Sequence, residues 1–311
     1  DMVTSPRLDS NDLELEKGVV CEEIAMYESN PADLCADLFY LVAFPEHKLG
    51  KNVLGTRDSV NSMTPDMLRK HMDRFYSPAS TVACFCGKFE RDKIIALCKH
   101  YFSSPANKGA IPALPKADFC PGVHIFDKKT EQNQIVIGFS APSLGSDSRF
   151  ASLLGGSASS RLFRRLREEQ GLVYSVDACA SSYLSAGVFA VSMGVSHESE
   201  KKAVLTAAEV LREFPDTVTE EELDLARDHY LSGLIMSLES NSARAARYGT
   251  GELLLGGAIS EKELEEKIRG VSIDEIRSLA RSFSSLSDAC ICAVGRTAGA
   301  KFYNKVVSGK K

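Results

Sequence analysis

The sequence predicts an α+β protein made of two homologous half-domains, each a mixed or antiparallel sheet covered by helices. The chain has 311 residues, which exceeds one average domain and suits two. Helical and strand-like patterns are interspersed along it, and one pattern occurs twice, about 210 positions apart. We therefore expect two copies of one α/β unit. Because the second copy begins near Val123, we expect the first to be incomplete at its N-terminus.

The first half of the chain is predicted to be mainly helical. Asn11 or Asp12 can cap a helix that is acidic in its first turn, and Asn30 followed by Pro31 is typical of a helix start. The expected helices cover residues 12–27, 31–44, 65–76 and 92–102, and one strand covers residues 81–87.

The second half is predicted to begin with strands. The expected strands cover residues 123–127, 132–140, 174–182, 187–195 and 289–295, and the expected helices cover 200–214, 220–238, 243–255, 261–269 and 273–283. Residues 174–182 and 187–195 alternate in polarity, so we expect them to pair antiparallel. The predicted half-domains are residues 1–104 and 123–298, with a linker at 105–122 and a tail at 299–311.

The internal repeat is visible in the letters themselves. TPDMLRKHMDRF from Thr64 aligns with SIDEIRSLARSF from Ser272. The same offset of 208 aligns Cys84 with Cys292 and Gly87 with Gly295. YESNPA from Tyr27 aligns with LESNSA at an offset of 211. Subtracting these offsets from Val123 places the start of the first copy before position 1. We therefore expect this chain to be one piece of a longer protein.

Composition excludes several classes of partner. The chain is 44% hydrophobic and 25% charged, with a net charge of −5 and no basic run, so neither nucleic acid nor a membrane is expected to bind it. No apolar run is long enough to span a bilayer, and DMVTSPRLDS lacks the features of a signal peptide. The nine cysteines contain no C-x-x-C pattern. Reduced, buried thiols in a cytoplasmic protein are the expectation.

The most informative stretch is residues 159–176, SSRLFRRLREEQGLVYSV. Its apolar spacing predicts a short amphipathic helix that runs through Gly171 into a strand. Arg167 lies seven residues before Tyr174, and the preceding Gly155-Gly156 pair permits a tight turn and close packing. On spacing alone, a basic helix face with a glycine cap and a strand tyrosine also accounts for the pattern.

The block GGSASSRLFRRLREEQGLVYSV resembles the signature of the second homologous domain in the pitrilysin and mitochondrial-processing-peptidase family. These are zinc metallopeptidases of the H-x-x-E-H type, the inverzincins. EKGVVCEEI and Tyr76-Ser77-Pro78 add to the resemblance, which covers residues 1–296. It implies that Arg167 and Tyr174 are catalytic residues that hold the substrate carbonyl as it becomes tetrahedral. One departure is that SDSRFASLLGG is shorter than in the family, so the helix there is expected to be clipped or lacking.

The same resemblance gives a role to ELEKGVVCEEIAMYESNP. Glu23 matches the position of the third zinc ligand, and Glu16 matches an acidic position that orients the site. The two glutamates are seven residues apart and share one helix face, whereas Glu22 lies about 100° from Glu23 and is expected to be exposed. Without the resemblance, the pair reads as a solvated acidic stripe.

The remaining zinc ligands have no counterpart in this sequence. The six histidines are scattered, and none forms H-x-x-E-H. A catalytic zinc site needs three protein ligands and an open position. We therefore predict that this chain alone neither binds Zn²⁺ tightly nor cleaves peptides.

Three readings of function follow. The first is a part of a zinc endopeptidase that cleaves extended peptides along a sheet edge, inactive until the N-terminal H-x-x-E-H segment is supplied. The second is a non-catalytic subunit, in a homodimer or heterodimer, that lends Arg167 and Tyr174 to an H-x-x-E-H chain. The third is a protein that kept only the scaffold. Having both Glu23 and the Arg167–Tyr174 pair favours the first.

Overall fold

The computed structural model describes residues 3, 5–102, 114–144 and 148–309, without the side chains of residues 79, 148–152, 154 and 157. Half of the predicted linker, residues 105–113, lies outside the described residues. Within them, no helix combines the length and apolar character needed to cross a bilayer.

Helices make up most of the described chain. They are α1 (Ser10–Ser29), α2 (Pro31–Ala43), α3 (Arg57–Asn61), α4 (Pro65–Phe75), α5 (Arg91–Phe102), α6 (Ser148–Leu162), α7 (Glu200–Thr217), α8 (Glu220–Ser237), α9 (Asn241–Leu255), α10 (Glu261–Arg269), α11 (Ile273–Arg281) and α12 (Ala300–Val307). The predicted caps are present at Asn30, Thr64 and Ser272, whose side chains accept backbone N–H hydrogen bonds. Helix α12 falls in the segment predicted to be a tail.

Five strands in the described part of the chain form one mixed sheet. They are β1 (Gly122–Asp127), β2 (Asn133–Ala141), β3 (Val173–Ser182), β4 (Gly187–Val195) and β5 (Cys290–Gly295), in the order β1-β5-β2-β4-β3. Strands β1 and β5 run parallel, and all other neighbours run antiparallel. The predicted α+β class and the β3–β4 pair are confirmed.

The described chain divides into two compact units. Unit 1 consists of Asp1–Ile24, Leu54–Leu114 and Gly233–Leu264, and unit 2 of Ala25–Val53, Pro115–Ser232 and Glu265–Lys311. Helix α2 comes from the first repeat but lies in unit 2, whereas α9 comes from the second repeat but lies in unit 1. Each unit therefore contains one complete α-helix from the other repeat.

Helix α2 forms part of the core of unit 2. Phe39 is buried and lies over Gly138 of β2, where an added Cβ would overlap its ring. The Cys35 thiol is buried and donates to the carbonyl of Cys292 on β5, at 3.6 Å. Through contacts of this kind, the apolar face of α2 packs against the sheet and is buried in the core of unit 2.

The elements repeat as the letters do. Helices α1, α2, α3, α4 and α5 correspond in order to α8, α9, α10, α11 and α12, and the 3₁₀ turn Pro78–Ser80 corresponds to Leu286–Asp288. Gly87 and Gly295 occupy equivalent positions with φ of 139° and 135°. These values favour glycine because a side chain there is strained. The two copies thus share local conformation as well as sequence.

Three sequence expectations are wrong in detail. Residues 81–87 are not a strand, because no described strand pairs with them. The Gly155-Gly156 pair lies inside the 15-residue helix α6 and makes no turn, so the helix before the Arg167 segment is present. All nine cysteines are free, yet only three of them are buried: Cys35, Cys290 and Cys292.

Candidate functional site

Arg167 lies in a π-helical turn, Phe163–Glu168, that continues directly from α6. The wider turn is seen in the backbone, where Glu169 N–H donates to the carbonyl of Arg164 at 2.9 Å, five residues back. Leu162 and Leu166 are fully buried and fix the turn against unit 2, which leaves Arg167 exposed. Single π turns inside helices are rare and frequently occur at functional sites.

Tyr174 lies at a β-bulge. Val173 pairs with Val195 and Ser175 pairs with Gly194, so Tyr174 is the extra residue on β3. The bulge breaks the alternation, and both Tyr174 and Ser175 are exposed. Tyr174 is 69% exposed. A bulge of this kind redirects a side chain away from the regular pleat.

The structure brings the two predicted residues together. An Arg167 Nη atom donates to the backbone carbonyl of Tyr174. The guanidinium carbon also lies 5.6 Å from the centre of the Tyr174 ring and 5.4 Å from that of Phe163, which are cation–π distances. The π turn and the bulge thus present one guanidinium and one phenol side by side. Whether they hold a substrate carbonyl stays a prediction.

Arg161 belongs to the same basic run but makes different contacts. Its Nε and Nη atoms donate to both carboxylate oxygens of Glu222, at 2.6 and 2.5 Å, and Nη atoms also reach Thr217. The pair is largely buried and ties the end of α6 to the α7–α8 connection. Burial pushes the pKa of Glu222 upward, but the hydrogen bonds from Arg161 and Thr219 outweigh it and lower the pKa.

Glu16 and Glu23 both lie on α1, and both are exposed. Neither carboxylate makes a hydrogen bond or ion pair with the described residues. Lys17 and Ile24, one position further along in each case, are the buried residues of this helix. Glu22 is exposed, as expected, and Glu23 is equally so.

The exposed side of α1 is also apolar. Leu15, Val19 and Met26 are 74%, 53% and 62% exposed, at spacings that place them on one helix face beside Glu16 and Glu23. The face that carries the predicted zinc ligand is therefore open and partly hydrophobic in the structure.

The described residues do not make up a zinc site by themselves. Among them, no group of three histidine, cysteine, aspartate or glutamate side chains could hold a metal ion. Glu23 offers one carboxylate ligand, whereas a catalytic zinc site needs three protein ligands. Zinc therefore does not fit this set of residues alone, and any such site requires donors from elsewhere.

Sequence reasoning missed a second buried carboxylate. Glu200, at the start of α7, is 1% exposed and accepts hydrogen bonds from Asn133 Nδ2, the Ala298 N–H and the Tyr303 hydroxyl. Burial, and then the hydrogen bond to Glu200, raises the pKa of Tyr303. These partners lie far from Glu200 in the sequence. An acidic residue in the first turn of a helix is already expected from the helix dipole, so Glu200 gave no indication of the hydrogen-bond network.

Comparison with known proteins shows similarity of this chain to the peptidase M16 family. The family model described as "Peptidase M16 inactive domain" matches residues 62–230. A Bacillus subtilis protein named as an uncharacterized zinc protease is 33% identical over 287 residues, which cover 90% of this chain and 70% of that protein. A Mycobacterium tuberculosis protein with a similar name is 31% identical over 296 residues, covering 92% of this chain and 68% of that protein.

Solved structures show the same fold. The crystal structure of a peptidase M16 inactive domain from Pseudomonas fluorescens superposes with a TM-score of 0.85 at 15% identity, covering 96% of this chain and 73% of that one. A chain of complex III2 from Candida albicans superposes with a TM-score of 0.81 at 18% identity, covering 93% and 73%.

Proposed function

This chain belongs to the peptidase M16 family, and we propose that it supplies part of a divided zinc-peptidase centre that cleaves extended peptides. Its named relatives are zinc proteases, which supports peptide-bond hydrolysis as the reaction class. The observation that carries the proposal is the contact between Arg167 and Tyr174, formed by a π turn and a bulge.

In this proposal Arg167 and Tyr174 bind the substrate carbonyl oxygen as negative charge develops on it. One Arg167 Nη atom is occupied by the Tyr174 carbonyl, which orients the guanidinium and leaves its other N–H groups for substrate. The Tyr174 hydroxyl is a second donor on an exposed ring. Two donors held in place before the reaction stabilise an oxyanion without reorganisation at the moment of reaction.

Glu23 is proposed as one zinc ligand, and Glu16 as the acidic group that orients it. Two histidine ligands and a general-base glutamate would come from an H-x-x-E-H segment outside this sequence. When bound, zinc supplies the Lewis acid of the reaction. The exposure of Glu23, and the lack of partners for its carboxylate among the described residues, leave it available as a ligand.

The substrate class follows from the sheet. Strand β3, which starts at the Tyr174 bulge, is an edge strand of the described sheet. An edge strand offers unpaired backbone groups to an extended peptide, and such binding suits unfolded or short peptides rather than folded proteins. A peptide paired with β3 would pass the Arg167–Tyr174 pair.

A second candidate is a non-catalytic subunit that lends Arg167 and Tyr174 to another chain. The matched family model, described as an inactive domain, favours it. The two candidates differ at Glu23, because a subunit that only lends Arg167 and Tyr174 has no need of a zinc ligand.

The test compares the 311-residue chain alone with the product expressed together with the codons that precede residue 1 in its gene. Zinc content and hydrolysis of an unstructured peptide are measured for each. We expect neither for the chain alone, and one zinc with hydrolysis for the longer product, both lost in Glu23→Gln. Tight zinc binding or strong hydrolysis by the chain alone would refute the proposal. Hydrolysis that appears only when a separate H-x-x-E-H chain is added, that is lost in Arg167→Gln and that survives Glu23→Gln, would select the second candidate.

A further inference from the structure

Arg167 differs from the other three arginines of its basic run in the partners that hold it. Each of the other three has a carboxylate partner: Arg161 has Glu222, and Arg164 and Arg165 share Glu169, at 3.6 and 3.8 Å. Among the described residues, no carboxylate lies within ion-pair distance of Arg167. Its side chain is exposed, so the guanidinium keeps a positive charge that no neighbouring carboxylate offsets.

Two aromatic rings contact Arg167 where its neighbours have carboxylates. The guanidinium carbon lies 5.4 Å from the centre of the Phe163 ring and 5.6 Å from the centre of the Tyr174 ring. Phe163 is the first residue of the π turn and Arg167 is its fifth, so the turn itself brings this ring beside the guanidinium. A ring face attracts a cation without cancelling its charge, whereas a carboxylate would also neutralise it.

This kind of contact suits a guanidinium that has to stabilise a developing negative charge. Such a group must remain charged, keep N–H donors free and hold one orientation before the reaction. An exposed arginine has many rotamers, and fixing one of them costs conformational entropy. The Phe163 ring restricts the guanidinium and has no polar atom that would occupy an N–H donor. The Tyr174 carbonyl occupies a donor on one Nη atom, and the remaining donors stay available.

Burial separates Phe163 from the residues that pack the turn. Leu162 and Leu166 are 0% exposed and fix the turn against unit 2, whereas Phe163 is 39% exposed. A large apolar side chain that remains partly in water adds less to the core than a fully buried one. The core packing of the turn therefore depends on the two leucines, and the Phe163 ring is left to contact Arg167.

We propose that Phe163 is a positioning residue, whose ring holds the Arg167 guanidinium in the orientation in which it meets the substrate carbonyl oxygen. This inference rests on the function proposed above and adds a residue to that site. Phe163 donates no hydrogen bond to the substrate and acts through Arg167. Removing the ring leaves the charge of Arg167 in place but lets the guanidinium sample other orientations, which weakens its interaction with the transition state.

The test uses the longer, zinc-loaded product of the proposed function, with kcat and KM measured on an unstructured peptide. Phe163→Leu keeps an apolar side chain but removes the ring, and we expect kcat to fall about three- to tenfold with KM nearly unchanged. Phe163→Tyr keeps the ring and should keep kcat. A change confined to KM would overturn the proposal, because it would mean that the ring contacts the substrate. An equal loss of kcat in Phe163→Tyr would overturn it as well.

The same substitution in the Arg167→Ala background separates positioning from a structural role. If Phe163 acts through Arg167, Phe163→Leu should lower kcat no further in that background. An equal loss in both backgrounds, with a lower urea midpoint for Phe163→Leu, would overturn the proposal in favour of a structural role. Unchanged kcat in Arg167→Ala itself would instead refute the proposed function, so the two failures are distinguishable.

A spectroscopic measurement reports on the orientation of Arg167 without substrate. In NMR spectra of the same product, the Nε–H signal of Arg167 is identified by its loss in Arg167→Ala. Ring currents from two nearby aromatic faces should displace this signal from those of exposed arginines that contact no ring. We expect it to move towards them in Phe163→Leu and to stay in place in Phe163→Tyr. A signal unchanged by Phe163→Leu would show that the ring does not orient the guanidinium and would overturn the proposal.

Discussion

The guanidinium of Arg167 is bound to Tyr174 twice, by a hydrogen bond to its backbone carbonyl and by a cation–π contact at 5.6 Å from its ring centre. Neither contact would form in regular structure. The π turn places the guanidinium at the start of β3, and the bulge turns the tyrosine ring outward beside it. Two local irregularities, seven residues apart, therefore build one pair of donors.

The first prediction concerns this pair. In the longer, zinc-loaded product of the proposed function, Arg167→Ala and Tyr174→Phe should each lower kcat by about 10²–10³-fold, since each removes a donor to the developing oxyanion. KM should change less than kcat, because the loss is confined to the transition state. Arg164→Gln, in the same turn but paired with Glu169 at 3.6 Å, is the matched control and should keep near-normal kcat. Equal losses in all three variants would assign the effect to the turn as a whole.

The second prediction concerns pH and the Arg161–Glu222 pair. The pKa of Glu222 is lowered in the folded chain, so the carboxylate contributes stability above its unfolded value of about 4.3 and loses it as pH falls through the folded pKa. Glu222→Gln should therefore cost about 1 kcal/mol at pH 7. Below about pH 4 the difference from the unmodified chain should shrink.

Urea unfolding at several pH values measures this difference. Glu209→Gln, an exposed residue of α7, is the control and should track the unmodified chain at every pH. A cost of Glu222→Gln that stays constant from pH 7 to pH 3 would contradict the assignment.

Much of the fold could be predicted from local patterns, and the misses share a cause. Helix starts such as Asn30-Pro31 and Thr64-Pro65 depend on neighbours within a few residues, so the sequence identifies them. The strand expected at 81–87 failed because a strand depends on partners far away in sequence. The packing of α2 into the core of unit 2 could not be predicted either, because its apolar face is compatible with any sheet of suitable shape.

The candidate site, too, could be predicted from the sequence only in part. The spacing of Arg167 and Tyr174 was readable, whereas the π turn and the bulge that join them were not, because both arise from packing of Leu162 and Leu166 and from register with β4. The Glu200 network was missed for the same reason, since its donors lie on two segments far from Glu200 in the sequence, one at Asn133 and one at Ala298–Tyr303.

The third prediction tests the packing of α2 against the sheet. A Cβ at Gly138 would overlap the fully buried ring of Phe39, so Gly138→Ala should destabilise unit 2 by about 1–3 kcal/mol through overpacking. Adding Phe39→Leu should recover part of that loss, because it removes the ring that the methyl meets. Gly18→Ala, with open space around it in α1, should instead stabilise by about 0.5–1 kcal/mol. Thermal unfolding of the four proteins would decide; no cost for Gly138→Ala would mean that Phe39 does not lie there.

The fourth prediction uses two adjacent glycines of α6. A Cβ at Gly155 would lie 3.1 Å from the Ala178 carbonyl oxygen and 3.3 Å from Cα of Cys179, both backbone atoms of β3, whereas one at Gly156 meets only the Ala226 methyl at 3.9 Å. Because these neighbours are backbone atoms of a paired strand, we expect Gly155→Ala to shift α6 by a few tenths of an ångström from β3, at a cost of about 1–3 kcal/mol. Gly156→Ala has room and should stabilise the helix by about 0.5–1 kcal/mol.

The same pair of variants also reports on the site. Helix α6 runs directly into the π turn that carries Arg167, while β3 carries Tyr174, so a displacement of α6 from β3 separates the two donors. In the longer, zinc-loaded product of the proposed function, Gly155→Ala should lower kcat more than its stability loss explains at a temperature where it is fully folded, and Gly156→Ala should not. Equal kcat in both variants, with Gly155→Ala destabilised as expected, would show that the site tolerates the shift and that Arg167 is oriented by its own turn rather than by the α6–β3 packing.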